Sequence, residues 1–156
     1  MVAAETLLPP VEERVSFLIH RINAQLARLC NPMFRRWRVD IDMARILAVL
    51  GQEGPLGAGD IVRIMALPQS TVSHQLKRLE QLGYLTRAPE SKDSRIIVAT
   101  LTLDGQAVAR ESNDLSRAVT SVMTQAIADM DGPVFRATLK QMDRVLTELR
   151  SVGEER

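Results

Sequence analysis

The chain has 156 residues, 46% hydrophobic and 25% charged, with a formal net charge of +1; this length suits one compact domain or a fused pair of small ones, and this balance excludes a disordered chain. Aromatics make up only 3%, so the core is built from Leu, Val, Ile, Met and Ala, and the Leu, Met and Ala among them favour helix. The single cysteine, Cys30, excludes an intrachain disulfide and fits a reducing compartment, the cytoplasm.

Residues 1–10 end in Pro9-Pro10 and read as a flexible arm with neither the basic nor the apolar region of a secretion signal. No apolar run approaches the ~18 residues of a membrane span, so no membrane partner is expected. From Val11 the pattern turns helical: Val15, Leu18, Ile22, Leu26 and Leu29 form one apolar stripe. Asn31-Pro32 should end that helix, because a residue before proline avoids the helical region. Met43, Ile46, Leu47 and Leu50 mark a second helix that stops near residue 52, and the glycine-rich run from Gly51 to Gly59 reads as a loop.

A short helix follows from Asp60 to Met65, with Ile61, Ile64 and Met65 inward. Ala66-Leu67 form a tight joint. Pro68 opens the next helix at the first position, where its missing N–H is no loss, and Gly83 stops it in a left-handed cap. Val72, Leu76, Leu79 and Leu82 face inward, which leaves Gln69, Ser70, Ser73, His74 and Lys77 outside. Each of those can hydrogen-bond and none is acidic, which suits base-edge and phosphate contacts; an ordinary solvated face is the plainer alternative. The period then changes. Leu85–Ala88 and Ile96–Leu101 read as two strands of a hairpin, with Lys92, Asp93 and Arg95 at its tip. An arginine on a thin β projection can enter a narrow minor groove, and Asp93 can orient it.

Thr102 or Asp104 starts another helix, with Val108, Leu115, Val119, Val122, Met123, Ile127 and Met130 as its stripe. Asp131-Gly132-Pro133 breaks it, and Phe135, Leu139, Met142, Leu146 and Leu149 continue at helical spacing. These outer helices carry more apolar positions than a small hairpin module can cover. They pack either on themselves or on a second copy; a two-fold dimer is the commonest oligomer, and two copies would present paired reading helices.

The run from Asp60-Ile61-Val62 to Leu101 resembles the MarR family of bacterial regulators. The resemblance is carried by Gln69-Ser70-Thr71-Val72-Ser73, by Leu79-Glu80-Gln81-Leu82-Gly83-Tyr84-Leu85, and most specifically by Asp93-Ser94-Arg95 with the later Leu101-Thr102-Leu103-Asp104-Gly105. It implies a mainly α fold with a small β-wing: a winged helix-turn-helix with N- and C-terminal dimerisation helices. The implied layout is an arm at 1–10, a dimerisation helix at 11–32, the winged module at 33–101, dimerisation helices at 102–150 and a flexible tail at 151–156. The implied function is sequence-specific binding of double-stranded DNA by a homodimer, as a repressor of a palindromic operator released by a small aromatic effector. The implied groove residues are Ser70, Thr71, Ser73, His74 and Lys77, with Arg95 as the wing arginine and Asp93 as its partner. His74 stands where many relatives have Arg, which leaves the operator sequence open, and Pro68 stands where a capping Ser is common.

Other constellations weigh less. Gly57-Ala58-Gly59 lacks the third glycine of a dinucleotide fingerprint, since that position is Val62. His20, His74 and Cys30 lack metal-ligand spacing, so no metal or cofactor is expected. Cys30 as a redox sensor is an alternative, but family members that sense oxidants place the cysteine near the start of the first helix. Trp37 with Phe34, Arg35, Arg36 and Arg38 offers stacking and charge for an aromatic carboxylate, against the plainer reading of a packed Trp. No catalytic constellation stands out, so an enzyme is not expected. A helical protein-interaction adaptor that has lost DNA binding is the rival from another class.

Overall fold

The computed structural model describes residues 9–90, 95–127 and 132–154. The chain divides into two compact units, Met1–Asn113 and Asp114–Arg156.

The first unit opens with a 3-10 turn and α1 (Val15–Phe34). The expected stop at Asn31-Pro32 does not occur: α1 passes through Pro32 to Phe34 and tightens into a second 3-10 turn at Arg35–Trp37. Pro32 lies in the last turn, where it forgoes a single backbone bond. Cys30 and Phe34, one turn apart, are both buried, and Asn31 Oδ1 accepts a hydrogen bond from Ile41 N at 2.9 Å. Core burial and this tie outweigh the proline.

Helix α2 (Ile41–Glu53) is capped by Asp40, whose carboxylate accepts from Met43 N. It buries Met43, Ala44, Ile46, Leu47 and Leu50, and Gly54 ends it at φ 84°. Inside the stretch expected to be loop lies a two-residue strand, β1 (Leu56–Gly57). Next, α3 (Ala58–Met65) buries Ile61 and Met65. Ile64, expected inward, is 42% exposed, because one helical residue turns about 100° and carries it off the face that Met65 shares with Ile61.

The joint is made by Ala66 in left-handed backbone at φ 53°. Pro68, expected as the first helical residue, is instead the cap of α4 (Gln69–Gln81), with extended ψ and its carbonyl accepting from Val72 N. Val72, Leu76 and Leu79 enter the core, while Leu82 is only half-buried. Gly83 has φ 77°; Gly83 N donates to Glu80 O and Tyr84 N donates to Leu79 O. That bond pair closes a helix end on a left-handed residue, so the glycine stop occurs as the sequence predicts.

Strands β2 (Leu85–Pro89) and β3 (Ile97–Leu101) pair antiparallel, with Leu85 opposite Leu101 and Pro89 opposite Ile97. β1 adds to the free side of β3, giving the order β1-β3-β2. The fold is therefore a winged helix-turn-helix, mainly helical with a small antiparallel sheet, as expected. Helix α5 (Leu103–Gln125) begins directly after β3.

The second unit holds the rest of α5 and α6 (Gly132–Glu154). The helix runs past Gly153, which the sequence places in a frayed tail. Val122, Leu139, Leu146 and Leu149 are all exposed in the single chain.

Candidate nucleic-acid interface

The inward residues of α4 fix what it shows outward. With Val72, Leu76 and Leu79 locked in the core, Gln69, Ser70, Ser73, His74 and Lys77 are exposed, and Thr71 is half-buried. The face is polar and acid-free, and Gln69 Nε2 lies 3.4 Å from Ser73 Oγ. No element of the first unit covers it.

One carboxylate holds this helix to α2. Asp40 Oδ1 caps α2 at Met43 N, 2.9 Å away. Asp40 Oδ2 accepts from Gln75 Nε2 at 3.3 Å and lies 3.5 Å from Arg78 Nη1. Arg78 Nη2 also donates to Arg38 O at 3.4 Å. The position of α4 is thus set through a residue that the site reading missed. The helix-start rule flags Asp40, since it is a capping residue just before an apolar-periodic segment, but its reach to α4 is not a local feature.

The one acid on the later turns of α4 is paired. Arg87 of β2 donates to Glu80 Oε2 from Nε at 3.0 Å and from Nη2 at 2.5 Å. This hydrogen bonding, helped by the charge of Arg87, holds the Glu80 carboxyl below the usual carboxylate range. A carboxyl with a depressed folded value adds stability above its unfolded value and loses it as pH falls through the folded one. Arg87→Ala should return Glu80 to the ordinary range in a carboxyl-carbon NMR titration; an unmoved midpoint would show that the ion pair is not what lowers it.

Further along the hairpin, Glu90 N donates to Ile96 O at 2.7 Å. Arg95 is exposed where the chain enters β3. Lys92 and Asp93 lie outside the described residues, so the expected Asp93–Arg95 pair has no placement here.

The root of the wing explains the Leu-Thr-Leu-Asp-Gly run. Thr102 N donates to Tyr84 O at 3.1 Å. Thr102 Oγ1 donates to Gly83 O at 2.7 Å and accepts from Gly105 N at 3.1 Å, capping α5. Gly105 packs against the Tyr84 backbone so closely that an added Cβ would lie 1.8 Å from Tyr84 O.

The remaining candidates have structural partners. The Arg36 guanidinium stacks 3.9 Å over Trp37 and its Nη2 lies 2.5 Å from Glu111 Oε2. Phe34 packs against Trp37 with ring centroids 6.1 Å apart, and Tyr84 donates from its hydroxyl to Trp37 O at 3.0 Å. The Trp37 corner is filled by the protein's own groups. Burial pushes the Cys30 thiol up, away from the exposed thiolate that a sensor needs. Among the described residues no cluster of His, Cys, Asp or Glu could hold a metal ion, and no helix is long and apolar enough to cross a membrane.

The sequence profile of the MarR family matches residues 44–96. The chain is 27% identical over 112 residues to the HTH-type transcriptional regulator MgrA of Staphylococcus aureus, covering 71% of this chain and 76% of that protein. Among solved structures it resembles BpsR of Bordetella bronchiseptica, described with 6-hydroxynicotinic acid, at TM-score 0.70 and 21% identity, covering 90% of this chain and 97% of that one. It also resembles a MarR mutant from E. coli complexed with operator DNA, at TM-score 0.67 and 17% identity, covering 89% and 99%.

Proposed function

Since this chain is a MarR-family winged-helix protein, we propose that it is a DNA-binding transcription regulator, a repressor that reads a palindromic operator as a homodimer in the cytoplasm. The observation that carries this reading is the uncovered, acid-free face of α4, held in place by Asp40 and cleared of negative charge where Arg87 pairs Glu80. In this reading Gln69, Ser70, Thr71, Ser73, His74 and Lys77 meet the major groove, and Lys92, Asp93 and Arg95 serve the wing in the minor groove. The relatives named above include transcriptional regulators, and one solved relative carries operator DNA, which supports a regulator over an enzyme.

A dimer is supported by apolar side chains that the single chain leaves in water. On α1, Val15, Leu18, Ile22 and Leu29 are exposed; on α6, Val134, Leu139, Leu146 and Leu149 are. Covering each is worth about 1.5–3 kcal/mol. Release by a small ligand would be a population shift between a dimer whose reading helices match the half-site spacing and one whose helices do not.

Selection of bound duplexes from a random pool tests binding, half-site spacing and symmetry together. A palindrome with half-sites about one helical turn apart is the expected result. No enriched duplex at low salt would sink the regulator reading in favour of a protein-interaction adaptor. On the selected operator, Lys77→Ala should reduce the salt slope by about one if it meets phosphate, and Arg95→Ala should cost about 1–3 kcal/mol while the dimer persists. Unchanged affinity in gel-shift titrations would remove either residue from the site.

A further inference from the structure

Away from the Trp37 corner, a cleft of about 440 Å³ opens between the end of α2, the loop that follows it, the end of β3 and the first half of α5. All of its lining residues belong to the first unit. The size is that of a site for a small organic molecule. Leu50, Leu101 and Ala109 give it an aliphatic wall, and Gln106, Arg110 and Asn113 line its polar side along α5. No acidic residue lines it. The acids that flank Arg110 on α5 are already engaged, Glu111 with Arg36 and Asp114 with Arg117. The Arg110 guanidinium therefore faces the cleft with no acid partner among the described residues.

An aliphatic wall beside an unpaired guanidinium and two neutral amides selects one ligand chemistry. We propose that this cleft binds a small hydrophobic carboxylate, whose apolar body lies on Leu50, Leu101 and Ala109 and whose carboxylate pairs with Arg110. Arginine presents a planar fork that matches a carboxylate with two parallel hydrogen bonds. Gln106 and Asn113 offer amide groups to the same end of the ligand. Thr100 and Leu101 end the strand that carries the wing, so an occupant touches the wing's root. Its regulatory consequence rests on the proposed function; the binding itself does not.

The test uses the full chain without DNA, with benzoate as the probe and benzamide as its neutral counterpart, followed by amide NMR. Benzoate should shift the resonances of residues 50–54, 100–101 and 106–113 and saturate with Kd of about 1 mM or tighter. Benzamide should bind at least about tenfold more weakly, as expected for loss of a charge-assisted pair. Arg110→Gln should bring benzoate down to the benzamide level. Asn113→Asp, which sets a carboxylate one turn from Arg110, should do the same. Benzoate that does not saturate in that range, shifts centred on other residues, equal binding of the two probes, or unchanged binding by Arg110→Gln would each overturn the proposal. A separate operator titration keeps the two readings apart: absent DNA binding with saturable benzoate sinks only the regulator, and intact DNA binding with no benzoate site sinks only the cleft.

Discussion

Gly105→Ala is expected to lower the thermal unfolding midpoint by about 10 °C, from a loss of about 3 kcal/mol or more. The added Cβ would sit 1.8 Å from Tyr84 O and 2.8 Å from the carbonyl carbon. Both are backbone atoms, and no rotamer change can relieve the contact. Nor can Tyr84 move alone, because its carbonyl accepts from Thr102 N and its amide donates to Leu79 O at the end of α4. The strain would pass to the joint between α4, the wing and α5. Gly83→Ala is the control. There the backbone is left-handed at φ 77°, but nothing lies within 4 Å of the added carbon. That substitution should cost only about 1–2 kcal/mol, the penalty of an L-residue in left-handed backbone. Equal falls in the two melting curves would show that close approach is not what position 105 requires.

Ile22→Glu combined with Leu146→Glu is expected to convert the proposed dimer to a monomer and to weaken operator binding by at least about a hundredfold. Both side chains are half or more exposed in the single chain, so neither substitution disturbs the core, and far-ultraviolet circular dichroism should keep its helical signal. In a dimer each change occurs twice. It removes about 1.5–3 kcal/mol of apolar burial per site and places a carboxylate where an unpaired charge is costly. A monomer holds only one reading helix and one wing, so it forfeits the second half-site. Sedimentation velocity reads the assembly and gel shift reads the affinity. A double variant that still sediments as a dimer would remove these faces from the interface.

The readable parts of the fold share one property: their signals are local. Val72, Leu76 and Leu79 recur at helical spacing, and that periodicity alone gave α4 an inside and therefore an outside, with Ser70, Ser73, His74 and Lys77 on it. Gly83 was legible as a stop because left-handed backbone favours glycine. The hairpin was legible from β-branched residues on either side of a polar turn. Where local rules failed, a distant partner had overruled them. Pro32 is tolerated inside α1 because Phe34 reaches the core. β1 is two residues long, too short for any periodicity, and exists because β3 offers it an open edge.

What the sequence determined by itself is the order of elements, the polar outward face of the second helix of the motif, and the family those patterns resemble, since each depends on residues within a few positions of one another. What only the tertiary structure decided is how that face is held. Asp40 meets Gln75 across 35 positions, Arg36 meets Glu111 across 75, and Glu80 meets Arg87 from the neighbouring strand. No local period encodes such pairs: they form when packed elements bring distant side chains within hydrogen-bond reach, and the same packing gives Gly105 its close neighbour and Arg110 its open cleft.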